Sequence, residues 1–254
     1  MKVCKHYVNN KCNNPECKFQ HIDNICRNYF FNECNNANCK FDHTYKLKNL
    51  EKRSKKNTES FKPDTSNPDL LVRVNEPIKY SNEVCIVKNI NWRDNLLNNL
   101  LNEIDNNVYK LWHGDSHYIA DDSLNWKNQA TLFNYVIDEL CNYFDMIPSA
   151  TRFNLYNDSK EWKPYHHDAA ALKPDKAKKQ NITVGVSFGL TRDISFQHAK
   201  SYNRINFPLE NGCVYAFGNQ VNIDYRHGIP QLEELINKKR ISIIVWGFSK
   251  VLDK

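Results

Sequence analysis

Trp162-Lys163-Pro164-Tyr165-His166-His167-Asp168 is the stretch on which the fold of this chain turns. In an extended segment, residues two apart point to one face, so His166 and Asp168 offer an imidazole and a carboxylate side by side. Alone, such a pair is a hydrogen-bonded surface couple. A second histidine from the same strand-rich region changes its meaning, and His227 in Asp224-Tyr225-Arg226-His227-Gly228-Ile229 supplies one. Two histidines and one carboxylate form the facial triad that holds non-haem Fe(II) with positions left open. The surroundings suit that reading. After Pro148 the chain runs in short apolar or alternating stretches at 152–156, 182–188, 194–197, 205–208, 213–217 and 240–248, parted by turn residues such as Asn211-Gly212 and Gly218-Asn219. Upstream, Leu96, Leu97, Leu100, Leu101 and Ile104 mark a helix over 94–106 with Asp94 as its N-cap, and 132–144 repeats the pattern. Helices first and strands afterwards predict an all-β sandwich with a helical front.

A strand led by one arginine, Arg240-Ile-Ser-Ile-Ile-Val245, begins thirteen residues past His227. A dicarboxylate such as 2-oxoglutarate would chelate the metal with its keto-acid end. Its distal carboxylate then needs a buried bidentate cation, which arginine's planar fork provides. Arg240 could instead be only the polar edge of a strand that follows Lys238-Lys239.

At the other end of the chain one pattern occurs twice. Cys4-x7-Cys12-x4-Cys17-x3-His21 is followed by Cys26-x7-Cys34-x4-Cys39-x3-His43, every ligand type recurring 22 positions later. Three thiolates and an imidazole complete a tetrahedral zinc shell with no open position, so these units are expected to bind and not to catalyse. The net charge of +6 is carried by residues 1–60, with 12 Lys/Arg against 6 Asp/Glu, while the remainder holds 23 of each sign. A basic arm on a neutral body points to a polyanion, nucleic acid being the usual one. Six of nine cysteines fall in the repeats, and Cys85, Cys141 and Cys213 are scattered, which is reducing, metal-binding usage. The opening has no apolar stretch and no run approaches the ~20 residues of a membrane span. The expectation is a soluble intracellular protein, cytoplasmic or nuclear, with no membrane partner.

Residues from about 84 to 250 resemble the AlkB family of Fe(II)/2-oxoglutarate dioxygenases. Asn154-Leu155-Tyr156 is similar to the Asn-x-Tyr pair ahead of the iron motif, and His166 and Asp168 to its His-x-Asp. Val186-Ser-Phe-Gly189 with Arg192-Asp-Ile-Ser-Phe196 resembles the Gly-x-x-Arg-x-Phe-x-Phe strands, His227-Gly228-Ile229 the distal His-Gly-Ile, and Arg240 the co-substrate arginine. The resemblance implies a double-stranded β-helix (jelly roll), iron on His166, Asp168 and His227, and 2-oxoglutarate on Asn154, Tyr156 and Arg240. The sequence departs from the family where a second arginine follows six residues after the first. Trp246 stands there, with Ser242 and Ile244 at the usual Asn and Thr positions, which places the chain in a divergent branch. Leu111-Trp112-His113-Gly114-Asp115-Ser116-His117, with Asp121-Asp122 and Trp126, lies where the family has its nucleotide-recognition lid; these residues either grip a flipped base or satisfy one another. His167 is expected to face away from the metal, His198 to lie at the surface, and Trp162 and Tyr165 to line core or pocket.

The N-terminal repeats resemble tandem CCCH zinc fingers, whose characterised members bind RNA. Tyr7, Phe19, Tyr29 and Phe41 stand at intervals suited to stacking on single-stranded bases, with Lys5, Lys18, Arg27 and Lys40 beside them for phosphates. The same rings also suit a miniature core, and a protein-binding role stays open.

The expected organisation is a finger at 1–22, a second at 23–44, a basic segment and flexible linker at 45–83, and an α+β dioxygenase domain at 84–254. Lys52-Arg53-Ser54-Lys55-Lys56 reads as a nuclear-import cluster, a phosphate patch or a solvated face. The leading reading is an oxidative demethylase of N-methylated nucleic acid, with single-stranded RNA held by the fingers and 2-oxoglutarate and O2 consumed. The alternatives are an RNA-binding regulator with an inactive or 2-oxoglutarate-sensing dioxygenase fold, and a dioxygenase acting on DNA or protein.

Overall fold

The structure, a computed structural model, describes residues 3–8, 12–31, 34, 36, 38–45, 70–112 and 116–253. The chain forms two compact units, Met1–Asn57 and Thr58–Lys254. The basic run from 46, the expected linker to 69, and His113 and Asp115 of the expected lid lie outside the described residues.

The first unit shows the 22-residue repeat as structure. Each half begins with an isolated parallel bridge, Val3↔Gln20 or Ile25↔Asp42, and each first cysteine leads into a short helix, α1 (Lys5–Val8) or α2 (Arg27–Phe31). Among the described residues its buried apolar side chains are Cys4, Ile25, Cys26 and Phe30. So small a core does not hold a fold by burial alone.

The second unit begins with β1 (Leu71–Val74) and β2 (Glu83–Val87), then α3 (Leu96–Glu103), β3 (Tyr109–Trp112), β4 (His117–Ala120) and α4 (Thr131–Tyr143). There follow β5 (Met146–Tyr156), β6 (Lys163–His166), α5 (Ala169–Leu172), α6 (Pro174–Ala177), β7 (Ile182–Gly189) and β8 (Arg192–His198). The chain closes with β9 (Arg204–Leu209), β10 (Cys213–Gly218), α7 (Asn219–Asp224), β11 (Tyr225–Ile229) and β12 (Arg240–Ser249). Eight strands form one sheet in the order β1-β2-β10-β7-β12-β5-β4-β3, and four form another, β6-β11-β8-β9. Pairing is antiparallel throughout except for β1 with β2.

Strand alternation builds two cores. Along β10, Val214 and Ala216 join a cluster with Leu96 and Leu100 of α3 and Phe133, Val136 and Leu140 of α4. Their neighbours Cys213, Tyr215 and Phe217 turn the other way and meet Ile194, Phe196, Phe207 and Leu209 of the smaller sheet. The large sheet therefore carries helices on one face and the second sheet on the other, a jelly-roll-like arrangement. Along β12, Ile241, Ile243 and Val245 take the helical face, which leaves Arg240, Ser242, Ile244 and Trp246 for the space between the sheets.

Three expectations shift. The domain starts before 84: Leu70 is buried, β1 pairs with β2, and Arg73 is tied to Glu83, so 70–83 belongs to the domain and not to a linker. The N-terminus of α3 is set by Asn95 in the left-handed region at φ 54°, and Asp94 does not cap it. The strand expected at 152–156 starts at Met146, because pairing with β12 carries the polar Ser149-Ala150-Thr151-Arg152 stretch along. No described helix is long and apolar enough to cross a membrane.

Candidate active site

β6 ends in His166, and β11 places His227 directly opposite it across an antiparallel ladder. That approach depends on Gly228, where a Cβ would lie 2.8 Å from the Lys163 carbonyl oxygen of β6. Two residues past His166 the chain turns into α5, and Asp168 occupies its N-cap in extended conformation, side chain turned back to the histidines. Asp168 Oδ1 lies 3.7 Å from Nε2 of His166 and 3.7 Å from Nε2 of His227. All three donor atoms fall within 4.8 Å of one another.

The protons in this cluster can be placed. His166 Nδ1 is 2.8 Å from the Pro164 carbonyl, which can only accept, so Nδ1 carries the proton and Nε2 presents a lone pair. Burial holds both imidazoles below the ordinary histidine range and keeps them neutral. Burial alone would raise Asp168, but its surroundings, the Lys163 amine and the Trp246 indole among them, hold the carboxyl low. A carboxylate facing an imidazole lone pair is an unfavourable contact on its own. A divalent cation between them turns it into ligation, so the donor set fits Fe(II) in chemistry and number.

The carboxylate is held from behind. Thr183 Oγ1 donates to Asp168 Oδ2 at 2.9 Å, and the Asp168 backbone N–H donates to Asn222 Oδ1 at 2.8 Å. His167 turns away, as expected, its Nδ1 2.6 Å from the Asn222 carbonyl. Such outer partners fix ligand orientation. Thr183 and Asn222 carry no motif of their own. Only β7 and α7 folding against α5 bring them here.

The expected co-substrate residues meet through strand register. Tyr156 pairs with Arg240 and Asn154 with Ser242, all facing the space between the sheets. Arg240 is 0% exposed; its Nε donates to Ser187 Oγ at 2.8 Å, while Nη1 and Nη2 have no hydrogen-bond partner. Two such donors sealed from water cost free energy until something accepts from them. A small cavity between the sheets is lined by Asn154, Tyr156, Lys163, Tyr215, Ser242 and, of the triad, His227. These orphaned donors fit the distal carboxylate of 2-oxoglutarate.

Of the two readings of the lid segment, its described residues follow the one in which they satisfy one another and their neighbours. Its described part is the β3–β4 hairpin, and His117 is fully buried, stacked on Tyr156 at 4.9 Å and 3.3 Å from Asn154 Oδ1. It buttresses Asn154 and Tyr156. Trp126 packs on Phe133 and Phe153, and Asp121 and Asp122 are engaged by Lys110 and Lys127. Trp112 lies under the Arg152 guanidinium at 4.9 Å. Tyr165 is bonded to Ser195, Trp162 is partly exposed, and His198 bonds Ser201 near the surface. Arg192 is buried with its guanidinium on the carbonyls of Asp158, Glu161 and Pro230, bracing the loops around β8.

In the first unit the two repeats converge as clusters: Cys4, Cys12, Cys17 and His21, and Cys26, Cys34, Cys39 and His43. The Sγ atoms of Cys4 and Cys17 are 3.7 Å apart, as are those of Cys26 and Cys39. That is far beyond a disulfide and close to the ~3.8 Å edge of a tetrahedron with metal–sulfur bonds of about 2.3 Å. His21 Nε2 and His43 Nε2 are buried without a partner. The Tyr29 N–H donates to Cys26 Sγ and brings that thiol down to about 7. Both clusters fit Zn. Tyr7 stacks on His21 at 4.1 Å and Tyr29 on His43 at 4.5 Å, so the tyrosines belong to the metal shell's support. Phe19 (49% exposed) and Phe41 (58%) are the free rings, beside exposed Lys18 and Lys40. A groove of about 710 Å³ between the repeats is lined by Arg27, Asn28, Asn36, Lys40 and Phe41 among others.

The sequence profile described as the 2OG-Fe(II) oxygenase superfamily matches residues 90–245. The chain belongs to that superfamily. It is a dioxygenase whose family works with Fe(II), 2-oxoglutarate and O2. Among solved structures it is similar to that of OsALKBH1, at 13% identity and a TM-score of 0.47, over 67% of this chain and 100% of that one. It is also similar to a prolyl hydroxylase from Trichoplax adhaerens in complex with a hypoxia inducible factor peptide, at 12% identity and a TM-score of 0.45, over 66% of this chain and 84% of that one. A Pseudomonas putida prolyl-4-hydroxylase matches at 13% identity and a TM-score of 0.43, over 63% and 89% of the two chains. No curated protein sequence matches the chain.

Proposed function

We propose that this oxygenase is an oxidative demethylase of N-methylated nucleic acid, with single-stranded RNA held by two zinc fingers. The observation that carries the chemistry is the triad of His166, Asp168 and His227 between two sheets that also bury Arg240 with unpaired guanidinium donors. In this reading the triad holds Fe(II), Arg240 takes the distal carboxylate of 2-oxoglutarate, and Asn154 and Tyr156 line its path. Bound there, iron, 2-oxoglutarate and O2 supply the two-electron oxidation that hydroxylates an N-methyl group, with release of succinate and CO2. The hydroxymethyl product then sheds formaldehyde and leaves N–H. The chain's own part is to fix geometry. Pro164 sets the His166 tautomer, Thr183 and Asn222 aim Asp168, and the two sheets keep water from the cavity.

The substrate class rests on charge and exposed rings. Phe19 and Phe41 offer faces for unstacked bases, with Lys18, Arg27 and Lys40 for phosphates. In the oxygenase unit, Lys173, Lys176, Lys178 and Lys179 are exposed directly beyond Asp168, a second basic edge beside the site. Zn would be held by Cys4, Cys12, Cys17 and His21, and by Cys26, Cys34, Cys39 and His43.

The test is mass spectrometry on N-methylated RNA and DNA oligonucleotides incubated with protein, Fe(II), ascorbate and 2-oxoglutarate, beside an Asp168→Ala control. Loss of one CH2 from an RNA, absent in the control, is the expected result. Succinate formation without loss from any oligonucleotide would move the substrate to protein.

A further inference from the structure

The smaller sheet has an outer face as well as the one that looks onto the triad. Along β8, Ile194 and Phe196 turn into the core between the sheets, so Ser195 and Gln197 face outward. Register sets Arg226 of β11 opposite Gln197 on one side and Arg204 of β9 opposite it on the other. Neighbouring strands lie about 4.8 Å apart, so these side chains form one polar row about 10 Å across. Gly228, Ser195 and Asn206 make the next row.

Both guanidiniums lean over β8. Arg226 Nη2 donates to Gln197 Oε1 at 2.9 Å, and its guanidinium lies 5.3 Å from the centre of the Tyr202 ring. Tyr165 crosses β11 at the level of Gly228, and its hydroxyl meets Ser195 Oγ at 2.6 Å. Arg204 covers the Tyr165 ring at 5.0 Å. Ser195 gives its own proton to Asn206 Oδ1, so Tyr165 donates and the polar bed beneath the arginines is satisfied.

The charges above it are not. Among the described residues no carboxylate pairs with Arg204 or Arg226, and the Nε of each is buried without an acceptor. Asp193 shares the face but stands two residues before Ser195, opposite Pro208. The β8–β9 turn extends the patch with exposed Lys200 and with Tyr202, whose ring is 53% exposed. Tyr202 holds a left-handed backbone at φ 63°, where a bulky residue is an outlier.

We infer that this outer face binds the backbone of a single-stranded nucleic acid, Arg204 and Arg226 taking phosphates and Tyr202 stacking on a base. Guanidinium forks donate to phosphate oxygens in pairs, and an arginine already laid on a ring loses little freedom in doing so. An acidic peptide would match the charge but leave the open ring without a partner. The inference rests on the nucleic-acid reading above and adds to it a contact on the oxygenase unit itself. Tyr165 and Arg226 adjoin His166 and His227 in sequence, so the bound strand lies behind the two strands that carry these ligands.

The experiment is anisotropy titration of the full-length, zinc-loaded protein against a labelled single-stranded RNA of mixed sequence at stepped salt. Wild type, the double variant Arg204→Gln/Arg226→Gln and Tyr202→Ala are compared, with thermal melts to check folding. The double variant should bind about tenfold or more weakly, and its log–log salt slope should flatten by about 1.4, since each phosphate contact on a single strand contributes about 0.7. Tyr202→Ala should weaken binding about fivefold or more with the slope unchanged, the low end of one stacked base. It alters an exposed ring alone, so it carries the test if the double variant does not fold. Wild-type affinity and slope in the variants overturn the inference and leave the nucleic-acid reading resting on the first unit. Equal loss of affinity for RNA and for polyglutamate in the double variant overturns it in favour of an acidic protein partner. If wild type binds no RNA, the nucleic-acid reading falls and this inference falls with it.

Discussion

The two units meet one requirement, lone-pair donors gathered without protons between them, by opposite means. In the N-terminal unit the four donors from Cys4 to His21 are neighbours in sequence, and the next four repeat them from Cys26 to His43. Little else is buried there. In the oxygenase unit the triad joins β6, the start of α5 and β11, and two apolar clusters hold the sheets whether or not a metal is bound. Where the ligands are local, the ion must make the fold. Where the fold gathers the ligands, the ion is needed only for chemistry.

Removing metal is the largest way to break that contrast. A strong chelator should unfold the first unit, since structural zinc contributes about 10–16 kcal/mol of apparent binding free energy in such modules. The oxygenase unit should keep its melting transition in the same sample. Circular dichroism and proteolysis report the two separately, and joint loss of both units would refute the contrast.

Substituting ligands sharpens it. Asp168→Ala should abolish succinate formation, beyond the roughly 10–100-fold cost of losing an outer partner, with the oxygenase fold retained. Asn222→Ala removes the side-chain clamp on the Asp168 backbone, leaves the His167 contact to the Asn222 carbonyl, and should lower metal affinity by about 10–100-fold, measured by Mn(II) titration. Cys26→Ser should instead cost the second repeat its structure and leave 2-oxoglutarate turnover in place.

The same contrast explains what could be read from the chain. Repeated spacing made both cysteine–histidine clusters legible, because ligands and loop lengths are all local. His166, Asp168, His227 and Arg240 were legible as an ordered set, and alternation located most strands. What stayed hidden is what only register creates. Lys163 looks like a surface lysine until β6 pairs with β11, and Asn222 sits in an ordinary short helix. His117 reads as a loop residue until the β3–β4 hairpin closes it onto Tyr156. β1 was lost in a polar, proline-bearing stretch because its partner begins nine residues after it ends. Tyr7 and Tyr29 were read as base-stacking rings; their places on His21 and His43 could not be told from those of Phe19 and Phe41 by spacing alone.

In the first unit, those phenylalanines offer a graded test. Phe41→Ala should weaken single-stranded RNA by about 1–3 kcal/mol, the worth of one stacked base, without loss of zinc. Tyr29→Ala should act through zinc retention instead. Equal RNA losses with zinc unchanged in both would erase the division of labour between the two kinds of ring.

A last contrast separates the units by acid. Glu83 is buried on β2, where Arg73 holds its carboxylate in two contacts of 2.6 and 2.7 Å and the backbone N–H groups of Lys79 and Tyr80 add to the clamp. Burial alone would raise Glu83, but Arg73 and these N–H groups outweigh it and the folded carboxyl titrates below its ordinary value. A depressed folded value contributes stability that is fully present above the unfolded value of about 4.3 and is lost as pH falls through the folded one. The oxygenase unit should therefore keep this contribution at pH 5, where protons already compete with zinc for thiolates in the first unit. Glu83→Gln should cost about 1–2 kcal/mol at pH 7, since Arg73 loses its buried counter-charge and keeps only the exposed Glu76, while the backbone N–H groups keep an acceptor. The gap between variant and wild type should narrow below pH 4, as the wild-type carboxyl takes up its proton. Thermal melts at stepped pH measure both. A gap that stays constant down to pH 3 would mean that Glu83 stabilises β2 by shape and not by charge.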